Sequence, residues 1–330
     1  MDTIVIDIGS YYIKYGYNTH ESPFLIRNNI CYYPKNNQYQ NYEIGYGNSN
    51  TKCSHPVENG VVKNWEDLEK VLDRIFYYDL NIQDFSTVNL FNLVAPHESL
   101  QTKKRFMKLA FETYGFNSYQ SMSKVYSSLL ATGRTTGLVV DIGHSITTIN
   151  PIYEGFVVME GNMFSGACGN HISKYLKIKL DGELNNNKKL NIETSHFIKD
   201  RILEFGDKLK YNNLFLNDEL ISNEMINPYY YLDYGLIHDI HKSIKSVGID
   251  LRKVMYENII VTGYGSKSEA LIKKIKDGIP QGKIVDVNNR EILGWIGGKI
   301  ITNIPSFKYK WITKEEYAKV GVDSVVLKML

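Results

Sequence analysis

One unit occurs twice in this chain: an apolar, β-branched strand that ends in Asp-Ile-Gly. The first copy is Thr3-Ile4-Val5-Ile6-Asp7-Ile8-Gly9-Ser10 and the second is Leu138-Val139-Val140-Asp141-Ile142-Gly143-His144-Ser145. Each reads as a buried strand running into a turn. A third strand, Asn258-Ile259-Ile260-Val261-Thr262, runs into Gly263-Tyr264-Gly265-Ser266. Two matched turns in one chain point to an internal duplication. The 330 residues suffice for two domains.

The residue types in these turns suit a phosphate. Glycine at a strand end removes the Cβ that would keep a ligand off the backbone. Successive N–H groups, with the small hydroxyls of Ser10 and Ser145, can then cradle phosphate oxygens. Lys14 adds positive charge nearby. Asp7 and Asp141, one on each turn, could together hold a hydrated Mg²⁺, which prefers oxygen ligands and keeps several waters. A single Asp-x-Gly is an ordinary turn; the matched copies and the third glycine-rich strand end give the pattern its weight.

The sequence here resembles the actin family. Asp7-Ile8-Gly9-Ser10, followed by Lys14 and Gly16-Tyr17, is similar to the first phosphate loop of actins, and Asp141-Ile142-Gly143 to the second. These two loops alone would also fit the sugar kinases and Hsp70 chaperones of the wider superfamily. Other blocks resemble actins in particular. They are His55-Pro56-Val57-Glu58-Asn59-Gly60-Val61-Val62-Lys63-Asn64-Trp65, Gly133-Arg134-Thr135-Thr136-Gly137, Pro151-Ile152-Tyr153-Glu154-Gly155, Asp250-Leu251-Arg252-Lys253, Trp295-Ile296-Gly297-Gly298 and Trp311-Ile312-Thr313-Lys314-Glu315-Glu316-Tyr317. They occur in actin order and span the chain almost end to end.

The resemblance implies an α/β actin-like ATPase fold, with two duplicated α/β domains and a nucleotide cleft between them. Residues 1–124 plus 294–330 would form the first domain, with a reduced insertion at about 18–54. Residues 125–293 would form the second, with a reduced insertion at about 170–235. It implies ATP or ADP with Mg²⁺ as ligand. The nucleotide would be held by Gly9, Ser10, Tyr11, Lys14, Gly143, His144, Ser145, Gly169, Gly263, Tyr264 and Gly265, and the metal by Asp7 and Asp141 through water. Local patterning agrees. After Asn64, a candidate N-cap, Trp65, Leu68, Val71, Leu72, Ile75 and Phe76 fall at helical spacing, with Glu66 and Asp67 at the positive end of the helix dipole. Val88 to Ala95 reads as a strand stopped by Pro96.

Departures from actin bear on mechanism. The water-positioning glutamine of actin falls, by gapless counting, at Lys124, and its water-contacting histidine at Thr148. Lysine cannot accept a hydrogen bond from an attacking water, but its point charge can neutralise a γ-phosphate. Lys124 is therefore the candidate catalytic position, and hydrolysis is expected to be slow or absent. Tyr11, Ser145 and Tyr264 stand where actins have smaller residues and would narrow the pocket. Glu204 and Asp207 compete for one acidic position near the ribose.

The stretches Pro34 to Tyr46 and Tyr211 to Pro228 are shorter than their actin counterparts, and Asn185-Asn186-Asn187-Lys188-Lys189 reads as a mobile loop. Those regions make one end's filament contacts in actin, so an ordinary filament is not expected. At the other end, Leu130, Ala131, Tyr153, Ile296, Ile300, Ile301 and Ile304 would line an apolar groove for an actin-binding-type helix. The expected partners are actin or other protein subunits.

Bulk composition narrows the alternatives. The chain carries 38 Lys and Arg against 36 Asp and Glu, a net charge of +2, which gives no nucleic-acid footprint. No apolar run is long enough to span a bilayer, and no secretory signal is expected. Cys31, Cys53 and Cys168 are odd in number and widely spaced, so they are expected to be scattered thiols in a reducing compartment. The expected role is a divergent actin or actin-related structural subunit, cytoplasmic and cytoskeleton-associated, with a nuclear chromatin-remodelling complex as the alternative. A small-molecule kinase of the same superfamily would need a catalytic carboxylate beside the γ-phosphate. A degenerate actin would bind no nucleotide.

Overall fold

The computed structural model describes residues 2–35, 38–45, 47, 51–183, 190–206, 208–211, 214–228 and 234–329. It forms two compact units. Unit 1 comprises Met1–Gly45, Lys52–Ala131 and Ile292–Leu330; unit 2 comprises Tyr46–Thr51 and Thr132–Glu291.

Unit 1 is built on a six-stranded sheet in the order Ile312–Thr313, Ser118–Ser123, Val88–Val94, Asp2–Ile8, Tyr12–Tyr17, Phe24–Arg27. All seven residues of Val88–Val94 are buried, as a strand covered on both faces requires. Side chains alternate across the sheet. Ile4 and Ile6 join the cluster of Leu68, Phe76 and Phe106 from the helices on one side. Val5, between them, joins Phe91, Trp295 and Phe307 in a separate cluster. The helix Trp65–Asp73 begins at Asn64, whose side chain accepts from the Asp67 N–H at 3.1 Å, and it buries Leu68, Val71 and Leu72.

The chain returns to unit 1 through Trp295-Ile296-Gly297-Gly298. Trp295 is fully buried, and its indole N–H donates to the Val5 carbonyl at 3.0 Å. The two glycines let the helix Leu293–Thr302 approach its neighbours. A Cβ on Gly297 would overlap the Ser127 carbonyl, and one on Gly298 would lie 2.8 Å from a Val5 methyl. This packing draws the helix Lys124–Leu130 into unit 1.

Unit 2 repeats the central motif. Gly137–Ile142 pairs antiparallel with Thr147–Tyr153 and parallel with Ile259–Thr262. In unit 1, Asp2–Ile8 pairs antiparallel with Tyr12–Tyr17 and parallel with Val88–Val94. The duplication read from the two Asp-Ile-Gly turns is thus a duplication of sheet topology, and the fold is the mixed α/β one expected. The helices Leu236–Ser246 and Ile249–Glu257 pack on this sheet, and the helices Gly169–Glu183, Ile192–Phe205, Asp218–Ile226 and Glu269–Gly278 pack among themselves elsewhere in the unit.

The cysteine expectation is corrected. Within the insertion of unit 1, Ile30–Lys35 pairs with both Gln38–Glu43 and Lys52–Ser54, and this register sets Cys31 opposite Cys53. The two form a disulfide, and Cys168 alone is a free, buried thiol. Wide sequence spacing hid a cross-strand neighbour pair. The Asn185–Lys189 run lies outside the described residues.

Candidate nucleotide site

The first turn is a β-hairpin whose geometry follows from one glycine. The Gly9 N–H donates to the Tyr12 carbonyl at 3.1 Å, and a Cβ on Gly9 would lie 2.6 Å from that oxygen. No other residue fits without opening the turn. Asn28, fully buried, donates from Nδ2 to the Gly9 carbonyl at 2.7 Å and braces the loop from behind. Hairpin register sets Lys14 opposite Asp7, and the Lys14 ammonium lies 3.2 Å from Asp7 Oδ2. Burial alone would raise the Asp7 carboxyl. The ammonium groups of Lys14 and Lys124 outweigh it and hold the carboxyl below its usual range. Lys124, half-buried at the start of its helix, therefore acts on this loop through its charge. Ser10 is half-buried. The Tyr11 side chain is buried, with the Arg27 guanidinium 3.6 Å from its ring centroid. Its bulk is thus taken up between loop and sheet, which the expectation of a narrowed pocket did not foresee.

The second turn repeats the constraint. A Cβ on Gly143 would lie 2.5 Å from the Ile146 carbonyl, three residues on, as with Gly9 and Tyr12. The hairpin sets buried Thr148 opposite Asp141, where the first copy has Lys14 opposite Asp7. Asn150 Nδ2 donates to the Thr148 hydroxyl at 2.9 Å. The turn then grips the start of the helix Gly169–Glu183: the Gly169 N–H donates to Gly143 O at 2.9 Å and the Asn170 N–H to His144 O at 2.6 Å. The His144 ring meets the His196 ring edge-on, with 4.9 Å between centroids, and Lys199 Nζ donates to His144 Nδ1 at 3.2 Å. The proton of a neutral His144 ring is thereby placed on Nε2.

The third strand end closes on the second. Gly263 has φ +85°, and a Cβ there would overlap the Asp141 carboxylate; one on Gly265 would overlap an Ile142 methyl. The Tyr264 hydroxyl donates to Glu204 Oε1, and Asp207 lies outside the described residues. Below Gly265 is a narrow cavity of about 30 Å³, lined by apolar walls together with Lys199, Ser222 and Ser268.

The residues fit a phosphate with a hydrated Mg²⁺. Each unit presents a glycine-forced turn beside one buried aspartate, and Asp7 Oδ1 is buried with no hydrogen-bond partner. Few direct carboxylates suit an ion that keeps its waters. Among the described residues no group of three or more His, Cys, Asp or Glu is arranged around a metal.

Of the residues expected in the partner groove, Ile300 and Ile304 are exposed at 43% and 42%, whereas Leu130, Ile296 and Ile301 pack against the Trp295 cluster. Tyr153 is exposed on unit 2. Among the described residues no helix is long and apolar enough to cross a membrane. Sequence reasoning missed Arg27, Asn28, His196 and Lys199. None stands within a loop motif, and each reaches a loop only through the tertiary fold.

The family model for actin matches residues 1–214 and 211–330. The chain is 28% identical over 373 residues to "Putative actin-29" of Dictyostelium discoideum, covering 96% of this chain and 94% of that protein. The alignment is longer than the 330-residue chain itself, so this chain lacks segments that its relative has. The matched loops, the repeated sheet topology and a family match along the whole chain converge: the chain is a divergent member of the actin family.

Proposed function

We propose that the chain binds ATP or ADP with Mg²⁺ through its two Asp-x-Gly turns, hydrolyses ATP slowly or not at all, and serves as a structural subunit. The observation that carries this reading is the repeated hairpin, in which Gly9 and Gly143 each pack against the carbonyl three residues on. Backbone N–H groups of the two turns, Ser10 and Ser145 would bind phosphate oxygens, with Gly169, Gly263, Tyr264 and Gly265 around the rest of the nucleotide. Lys14 and Lys124 would meet the phosphate's negative charge. Asp7 and Asp141 would orient the metal's waters, and the metal would supply charge neutralisation between phosphates. A ligand selective for the native state raises its melting temperature. Millimolar Mg-ATP should therefore shift the melting of the full chain upward, and Asp141→Ala should abolish the shift. A flat response in the wild-type protein would replace this reading with that of a static actin module.

The assembly half of the proposal rests on Ile300 and Ile304, four residues apart and both exposed. An amphipathic helix can seat its apolar face on such a stripe. The occupant would be such a helix from actin or another subunit of a cytoskeletal complex in the cytoplasm. Long homopolymers are not expected, because a filament needs contacts at both ends of the subunit, repeated without closing. Sedimentation in polymerising salt should leave the protein in the supernatant. A folded Ile300→Asp variant should lose the partners that co-purify with the wild type; retention of all of them would remove the groove from the interaction.

A further inference from the structure

The insertion of unit 1 holds a sulfur pair whose two members have unequal surroundings. Cys31, in the central strand Ile30–Lys35, is fully buried, whereas Cys53, in the three-residue edge strand Lys52–Ser54, is half-buried. Antiparallel register sets them directly opposite, and the disulfide joins them across 22 residues of sequence. Asn29, also buried, stands beside the inner sulfur. Its amide carries two N–H donors. One reaches Cys31 Sγ at 3.4 Å and the other Gly45 O at 2.6 Å. Asn29 Oδ1 accepts from the Gly45 N–H at 3.3 Å, which fixes the orientation of the amide. Cys31 Sγ itself lies 3.5 Å from Gly45 O. The other face of the same two strands is anchored separately, because side chains alternate along a strand. The Tyr32 hydroxyl donates to Oδ1 of buried Asp67, to which Lys70 Nζ also donates at 3.0 Å. The Ser54 hydroxyl donates to the same carboxylate. Both cysteine-bearing strands are therefore held on the helix Trp65–Asp73 by contacts that do not involve sulfur.

We propose that Cys31 and Cys53 form a reversible thiol-exchange site, with Cys53 as the sulfur that an external thiol attacks and Cys31 as the internal leaving and resolving thiol. The proposal goes beyond the nucleotide reading and does not depend on it. The co-reactant is a dithiol. Its thiolate attacks Cys53 Sγ, the S–S bond breaks, and the electron pair leaves on Cys31 Sγ. Access favours attack at the outer sulfur, and a stabilised thiolate leaves faster. The Asn29 N–H bonded to the inner sulfur offsets the cost of a buried thiolate. The second thiolate of the reductant then attacks its own sulfur in the mixed disulfide and expels Cys53 as a thiolate. The dithiol is oxidised to a disulfide, and each cysteine takes up one proton. The reduced state has a contact of its own: the Cys31 S–H can donate to Gly45 O, which a disulfide sulfur cannot do. With both strands held on Asp67, the two thiols stay opposite one another. Glutathione disulfide can then restore the bond, departing as two glutathione thiols.

The test follows reduction of the oxidised full chain by dithiothreitol without denaturant, with new thiols alkylated after an acid quench and located by peptide mass spectrometry. The rate should rise in proportion to dithiothreitol and stay constant when urea is added below the unfolding transition, because the attack is on the folded chain. A rate that climbs with that urea would show that the sulfurs are reached only when the sheet opens, and would overturn the proposal. Two variants then locate the reactive sulfur. In Cys31→Ser, Cys53 should form a mixed disulfide with glutathione disulfide. In Cys53→Ser, fully buried Cys31 should do so more slowly by about tenfold or more, since exchange follows exposure. Equal rates, or a faster Cys31, would overturn the assignment of the two sulfurs. The wild-type measurement decides the site even where a variant fails to fold.

Discussion

Gly297→Ala is expected to destabilise unit 1 by about 3 kcal/mol or more, as overpacking a close-packed contact does. Helix propensity alone makes the opposite forecast, since alanine is favoured over glycine in a helix interior by about 1 kcal/mol. Packing decides the sign. A Cβ on Gly297 would overlap the backbone carbonyl of Ser127, an atom held in its own helix, and would come within 2.7 Å of the Ser127 hydroxyl. That hydroxyl donates to the Gly294 carbonyl at 2.7 Å, so moving the helices apart would also strain this bond. The displaced helix carries Trp295, whose indole bond to Val5 O ties it to the strand leading into the first loop. Gly182→Ala is the internal control: it lies in the helix Gly169–Glu183 with nothing within 4 Å of a built Cβ. That substitution should stabilise by about 0.5–1 kcal/mol. Urea unfolding of both variants checks the pair, followed by tryptophan fluorescence for unit 1, which holds Trp65, Trp295 and Trp311, and by amide hydrogen exchange for unit 2. A neutral or stabilising Gly297→Ala would mean that the Leu293–Thr302 helix does not approach Ser127 this closely.

Much of the fold could be read from the sequence because its rules are local there. A strand ending in Asp-Ile-Gly states its own turn, and two copies state a duplication. Asn64 followed by helical spacing states a helix start, and the structure begins that helix at Trp65. Val88 to Val94 states a buried strand by being apolar or small at most positions, and it lies between two neighbours in the sheet. What stayed hidden depends on register and packing between segments far apart in the chain. Cys31 and Cys53 meet only because both strands pair in one small sheet. Tyr11 is buried under the Arg27 guanidinium, a contact that only the tertiary fold brings about. Glu204 and Tyr264, 60 residues apart, share a bond that no spacing rule anticipates. The candidate site shows the same division. Its glycines and aspartates were legible, because turn geometry demands them. Asn28, His196 and Lys199, which reach the turns from distant segments, were not.

Lys124→Gln is expected to raise ATP hydrolysis by roughly tenfold or more, within the proposed nucleotide reading. Phosphoryl transfer depends mainly on positioning and electrostatics, and a poorly placed nucleophile can cost on the order of a hundredfold. A lysine ammonium offers three donors and no acceptor, so it cannot take a proton-side hydrogen bond from an attacking water. A glutamine amide offers both and can hold the water by two contacts. Lys124 does something else at this position: its charge, together with that of Lys14, holds the Asp7 carboxyl ionised against the cost of burial. The same charge would favour bound triphosphate over the state after cleavage. On that reading ATP would be kept as a long-lived ligand, with the buried Thr148 at the expected second water-contacting position. Losing one of two nearby ammonium groups should also weaken ATP binding by about three- to tenfold, since an opposite charge within a few ångströms contributes on that scale. The two effects separate in one experiment. Phosphate release at saturating ATP reports the chemical step, and titration reports affinity. A faster variant with weaker binding is the expected outcome. An unchanged release rate would mean that the charge of Lys124 is not what limits turnover, and release by the wild type as fast as that of polymerised actin would mean that another residue already orients the water.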